Sequence, residues 1–237
     1  MQNRYAGDIG DFGKLGLLRV LRSSGMSIGV NWYLVPNETH NSDGSIVDYL
    51  KYRQCDESLW QGLREIIDSG DRSVDSLEDE GILQATFFSE CLDFRGVKKR
   101  DRISLREEWF QRSLFSMAGS DLVFVDPDNG LIVPSKVGTT KENKYVTPEE
   151  LTAYYAQGSS LVYYQHKARY KDPFYVQQLK SLVCDARFPE ATGIALKFVR
   201  SQVRYFLFLV QPRHKETVEK AIENMLETAW NDCFVRL

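Results

Sequence analysis

Apolar residues along the chain fall into short runs separated by longer stretches with helical spacing. Four runs rich in Val, Ile, Tyr and Phe have the length of buried strands: IGVNWYLV (28–35), LQATFF (83–88), DLVFVD (121–126) and SLVYYQ (160–165). Between them, apolar positions recur every three or four residues. That spacing predicts helices in GKLGLLRVL from Gly13, in DESLWQGLREIID from Asp56 and in RISLREEWFQRSLFSM from Arg102. TPEELTAYYAQG carries a full set of helix signals. Thr147 is the expected N-cap, Pro148 the first helical residue, Glu150 the reciprocal acid of a capping box and Gly158 the left-handed stop. Near the end, GIALKFV (193–199) and VRYFLFLV (203–210) are separated by Arg200, Ser201 and Gln202, which predicts an antiparallel pair joined by a tight turn. A last helix is expected from about Arg213 to Trp230.

Alternating strands and helices predict an α/β fold: an open, mostly parallel Rossmann-like sheet with helices on both faces and an antiparallel strand pair near the C-terminus. The expected organisation is one domain over 1–237, with an acidic helical and loop excursion at about 56–82. Segments 68–81 and 134–146 read as its most loop-like interior stretches. A composition of 43% hydrophobic and 27% charged residues excludes disorder and coiled coil. No apolar run reaches the length of a membrane span, and MQNRYAGDIGDFGK places Asp and Gly where a signal peptide needs an apolar core, so a cytoplasmic protein without a membrane partner is expected. Oligomeric state is not legible. Cys55, Cys91, Cys184 and Cys233 are too dispersed for a zinc site or a disulfide framework, and free thiols mostly in the core are expected.

The net charge of −3 conceals an asymmetry that changes the choice of partner. Residues 56–93 hold eleven acids against Arg64 and Arg72, whereas Arg95 to Arg112 hold seven basic residues against three acids. Leu196 to Lys220 is also basic, with six against two. Tyr163, Tyr164, Tyr170 and Tyr175 are interleaved with His166, Lys167, Arg169 and Lys171. Aromatic faces stack on bases while cations hold phosphates, so nucleic acid or a nucleotide is the expected partner, with His166, Lys167 and Arg169 as substrate-binding residues.

Ligands of open α/β sheets bind beyond the carboxyl ends of the strands. That rule selects PNETHNSDG after the first strand and DPDNG after the third. Pro127 lacks an amide hydrogen and stops the ladder, which exposes Asp126, Asp128 and Asn129 at the sheet's edge. Asp8, Asp11 and Lys14 stand among Gly7, Gly10 and Gly13 ahead of a helix, where glycines permit close backbone approach and a helix start favours anions. Neither GxxxxGK[ST] nor GxGxxG is present. Tyr164, Gln165, His166 and Lys167 close the fourth strand with polar groups.

YAGDIGDFGKLGLLRVL resembles the amino-terminal motif of the ribosomal-RNA adenine methyltransferases that act on large-subunit RNA, with Tyr5, Ala6, Gly7, Asp8, Asp11 and Lys14 in corresponding places. VFVDPDNG similarly resembles their DPPY motif. The resemblance implies S-adenosylmethionine as methyl donor and a base amine as target. It implies Asp126, Asp128, Asn129 and Lys14 as catalytic residues. Tyr5, Gly7, Asp8 and Asp11 would face the cofactor, joined by Asn37, Glu38 and Pro127. The sequence departs from the pattern where Asp128 and Asn129 replace the second proline and the tyrosine, and where Glu38 and Gly44 stand in for an acid and a glycine-rich loop. Glu90 and Asp93 are candidates for a ribose-binding acid.

Two other readings compete. A metal-dependent nuclease would bind Mg²⁺ through Asp8, Asp11, Asp126 and Asp128 and stabilise the phosphate with Lys167, which ends the strand motif Gln165-x-Lys167. A non-catalytic binding or defence module would use the sheet only as scaffold and the acidic segment 56–93 as a partner surface.

Overall fold

The structure, a computed structural model, describes residues 1–38, 44–79 and 81–237. Its centre is a seven-stranded sheet built from β1 (Ile28–Asn31), β2 (Thr86–Phe88), β3 (Leu122–Val125), β6 (Ser160–His166), β7 (Thr192–Phe198), β8 (Arg204–Val210) and β9 (Phe234–Arg236). The order is β2-β1-β3-β6-β8-β7-β9. β2, β1, β3 and β6 pair in parallel; β8 runs antiparallel to β6 and to β7, and β9 antiparallel to β7. β7 therefore runs with the parallel set, and β8 is threaded between two strands of the opposite sense. A two-stranded ribbon of β4 (Gly130–Leu131) and β5 (Tyr145–Val146) lies outside the main sheet.

Alternation along the strands divides the core. On one face, Val30, Phe124, Phe206 and Phe208 pack with α1 (Ile9–Ser23), α2 (Glu57–Ser69), α3 (Val74–Asp79) and α7 (Lys215–Leu226). On the other, Val123, Val125, Tyr163 and Leu207 pack with α4 (Lys99–Ser116), α5 (Pro148–Ala156) and α6 (Asp172–Val183). The open Rossmann-like α/β sheet is thus covered by helices on both sides. No helix among the described residues is long and apolar enough to cross a membrane.

The predicted capping box is present: Thr147 accepts from the Glu150 amide at 3.2 Å and Glu150 accepts from the Thr147 amide at 2.9 Å, while Gly158 has φ +93°. Other expectations need correction. β1 stops at Asn31 because Tyr33 adopts φ 44°, its amide donating to Asn31 Oδ1 at 2.9 Å. α1 begins at Ile9, earlier than Gly13, since Asp8 accepts from the amides of Gly10 and Asp11 and is the N-cap. Segment 68–81, expected as loop, contains α3, and Leu59, Leu63, Ile66, Val74 and Leu77 bury the acidic segment's apolar stripe in the core. Only Cys233 of the four free cysteines is buried, with Cys91 and Cys184 exposed. α6, β9 and the short strands β4 and β5 are additional to the elements that the apolar pattern marked, β5 falling at the end of the segment 134–146 expected as loop.

Candidate functional site

Six segments meet over the carboxyl ends of β1, β3 and β6. They are the first turns of α1, the chain leaving β1, the loop 126–130, the loop 134–145, the end of β6 and the start of β8. Together they enclose a cavity of about 350 Å³, lined by Asp8, Asp11, Lys14, Glu38, Asp126, Pro127, Asp128 and Asn129 from the first three segments. Lys136, Lys141, Lys144, Tyr164, His166 and Arg204 supply the rest of the polar wall.

The loop turns where it does for a local reason. Gly130 has φ +102°, and any side chain there would collide with Gln165. Gln165 pins the loop by accepting from the Leu131 amide at 2.9 Å and donating to the Asn129 carbonyl at 3.1 Å. Its role is to hold DPDNG in place. The loop bearing Lys141 and Lys144 is fixed from the other side. Arg106 donates to both oxygens of Glu150 at 2.7 Å and to the carbonyls of Glu142 and Tyr145 at 3.0 and 2.7 Å. Arg106, one of the seven basic residues between Arg95 and Arg112, is buried in this clamp and is not part of an exposed basic face.

Lys14 joins the two motif segments. Its Nζ donates to Asp11 Oδ1 at 2.7 Å and to Asp126 Oδ2 at 2.6 Å, with all three residues buried. Burial alone would lower the Lys14 pKa, but Asp11 and Asp126 outweigh it and raise it, so the ammonium persists. Burial pushes both carboxyls up, against the pull of Lys14. A second network centres on Asp128. Its Oδ2 accepts from Lys144 Nζ and Gln2 Nε2, both at 2.9 Å, while Lys144 also reaches Glu38 at 2.7 Å. Burial works against the Asp128 carboxylate, yet the Met1 amino group, Lys144 and Gln2 hold its pKa below the ordinary value. On the third wall Arg204 lies 3.6 Å from Asp8, and burial pushes the neighbouring Tyr164 hydroxyl up to about 12.

The arrangement gathers Lys14, Asp126, Asp128 and Asn129, the four expected catalytic residues, on one cavity. Tyr5, Asp8, Asp11, Glu38, Pro127 and His166 join them. Others fall elsewhere. The Gly7 amide donates to Asp11 Oδ2 at 3.1 Å and so supports the wall from behind. Asn37 Oδ1 accepts from the Arg4 amide at 3.3 Å. Lys167 lines a neighbouring depression with His166 and Gln202 and lies 4.0 Å from Asp172, outside the cavity that holds the acids. Arg169 is exposed beyond it. Glu90 and Asp93 are paired with Arg112 and Arg95 rather than directed at the cavity. Within PNETHNSDG, residues 39–43 lie outside the described residues.

The amino-terminal glycines serve packing more than ligand approach. Side chains at Gly13 and Gly16 would run into Phe198 and Trp230, and Gly10 is covered by the Arg204 guanidinium. Asp8 already occupies the helix start, so the expected anion site there is taken. Lys136, Lys141, Lys144 and Arg204 escaped sequence reasoning as site residues. They come from a loop and an antiparallel strand whose placement depends on the tertiary fold; the run of basic residues around Arg204 was the only signal.

Two carboxylate pairs, Asp11 with Asp126 and Asp128 with Glu38, each embrace a lysine ammonium. No group of three or more His, Cys, Asp or Glu side chains among the described residues could hold a metal ion. The cavity instead presents both signs of charge together with hydroxyls and the Asn129 amide. By sequence, no protein-family model and no curated protein matches this chain.

Proposed function

We propose that this cavity binds S-adenosylmethionine and that the protein is a methyltransferase acting on an amine of a nucleic-acid base or nucleotide. One observation carries the reading. The two segments that resemble the adenine methyltransferase motifs, 112 positions apart at Lys14 and Asp126, face one cavity and are bonded across it, where open α/β sheets take their ligands. The lining suits a donor bearing an ammonium, a carboxylate and ribose hydroxyls. Asp8, Glu38 and Asp128 offer acceptors. Lys136 and Lys141, which make no ion pair among the described residues, offer cations. The volume of about 350 Å³ falls at the lower end of small-molecule sites.

When bound, S-adenosylmethionine supplies an electrophilic methyl group. The chain's own task is alignment and electrostatics. Lys14 is a positioning residue, because both of its strong bonds go to Asp11 and Asp126 and fix the latter. Asn129, whose side chain makes no hydrogen bond among the described residues, accepts from or donates to the target amine. The carboxylates of Asp126 and Asp128 stabilise positive charge that develops on that nitrogen. The lysine ammonium between each carboxylate pair disfavours the Mg²⁺ nuclease reading.

Calorimetric titration with S-adenosylmethionine tests the reading. Micromolar binding, about −8 kcal/mol, weakened at least about tenfold in Asp128→Asn, is the expected result, followed by radiolabelled methyl incorporation into nucleic acid. No binding at millimolar donor would overturn it and leave the non-catalytic module.

A further inference from the structure

The tyrosines of the cavity wall, Tyr5, Tyr145 and Tyr164, are half-buried, and the DPDNG loop has no aromatic residue. An exposed stacked pair stands on the segment that follows β6. Tyr170 and Phe174 are stacked at 4.0 Å between ring centroids with 17° between planes, and are 48% and 39% exposed. Most large aromatic side chains of this protein are buried; Tyr163 and Tyr175, which the sequence grouped with Tyr170, are core residues. A solvent-facing stacked pair gains little from folding alone, because its outer faces remain in water.

The pair is built on a rigid mount. Tyr175 OH accepts from the Ala168 amide at 2.7 Å, and its ring stacks on Tyr205 at 4.2 Å. Asp172, at the start of α6, accepts from Lys197 and from Tyr205 OH, both at 2.7 Å. Both ends of the 167–171 segment are thereby tied to β7 and β8. The segment carries Lys167, Arg169 and Lys171, of which Arg169 and Lys171 are exposed and make no ion pair among the described residues. It adjoins the cavity through His166 and Gln202, which line both the cavity and the depression that contains Lys167.

We propose that Tyr170 and Phe174, flanked by Lys167, Arg169 and Lys171, form a platform for single-stranded nucleic acid, stacking bases next to the one presented to the cavity. The inference rests on the nucleic-acid reading above and gives it a strand type. Aromatic faces accept any base of a single strand, whereas a duplex keeps its bases stacked on one another; the cations track the phosphates. The net charge of the whole chain is negative, so a polyanion is drawn to this place by local charge rather than by the molecule as a whole.

Fluorescence anisotropy on the full chain, with labelled mixed-sequence DNA and RNA oligonucleotides of about 12 nucleotides and the matching duplex, tests the platform. The expected result is tighter binding of single strand than duplex. Tyr170→Ala with Phe174→Ala should weaken it at least about tenfold, since stacking on one ring is worth about 5- to 150-fold. Tyr170→Trp should retain binding, and the melting temperature of each exposed-site variant should stay that of the wild type. Lys171→Ala should flatten the log–log salt slope by about 0.7 for one lost phosphate contact. Binding untouched by the aromatic substitutions, preference for duplex, or no binding of either strand would overturn the platform. So would a concentration-dependent mass that the double substitution abolishes, which would assign the pair to a second copy of this chain. Donor titration on the same variants separates the two ideas. Oligonucleotide binding that depends on Tyr170 without donor binding would keep the platform and reject the methyltransferase reading; the reverse would reject the platform alone.

Discussion

Lys14 contributes to the charge balance of the cavity by bridging two buried carboxylates, Asp11 and Asp126. Removing a single partner from a buried ion network leaves the remaining charges without compensation, which costs about 3–5 kcal/mol. Lys14→Met keeps much of the side-chain volume but leaves two acids facing each other. It should lower the unfolding free energy by about that amount, measured by urea denaturation at neutral pH. Asp126→Asn leaves Lys14 paired with Asp11 and should cost less. A loss below about 1 kcal/mol in Lys14→Met, on the scale of an exposed pair, would show that water replaces the ammonium and that the triad is not a sealed unit. The residue types here were legible from sequence: Asp8, Asp11, Lys14 and Asp126 stood out by their glycine and proline surroundings. Their partnership was not, since nothing in local spacing joins residues 14 and 126.

At the scale of elements, the glycines of α1 show how a pattern can be read correctly and explained wrongly. Gly7, Gly10 and Gly13 recur every third residue and suggest a close backbone approach, and Gly16 continues the series. What α1 approaches is the protein's own interior: Gly13 meets Phe198 of β7, and Gly16 meets Trp230 beyond α7. Gly16→Ala decides between two effects. Helix propensity favours alanine by about 1 kcal/mol, whereas forcing a methyl into a filled interior costs about 1–3 kcal/mol. Because the obstructing group is a buried indole ring, the steric cost should win, and the melting temperature should fall. A rise would mean that Trp230 can move aside and that α1 and the carboxyl-terminal segment are loosely joined. Where a strand or helix was marked by strong local signals, as in the Thr147 cap and the β3 run, sequence and structure coincide. Where an end depends on one residue's backbone, as at Tyr33, the apolar run overstates the strand.

At the scale of the whole molecule, the cavity loops are a clasp. They hold the amino-terminal segment, the exit of β3 and the loop 134–145 at the sheet's edge. Two acids two positions apart in that clasp respond to pH with opposite signs. The Asp128 pKa is lowered in the fold despite burial, through the Met1 amino group, Lys144 and Gln2, so between that lowered value and the ordinary 3.8 the unfolded chain binds more protons. Its contribution is present above 3.8 and is lost as pH falls through the folded value. Burial raises the Asp126 pKa, so between 3.8 and the raised value the native state binds more protons, and stability declines as pH rises through that window. Urea midpoints over an acid-to-neutral pH series should therefore respond to the two substitutions differently. Asp128→Asn should flatten the loss on the acid side, and Asp126→Asn should flatten the decline above 3.8. An acid limb of the same steepness in Asp128→Asn and wild type would mean that the Lys144–Asp128–Gln2 contacts do not bind the clasp together. The loops would then be held by other contacts, among them the buried Arg106–Glu150 pair, the Gln165 bonds and the Met1 amino group on the Asp126 carbonyl.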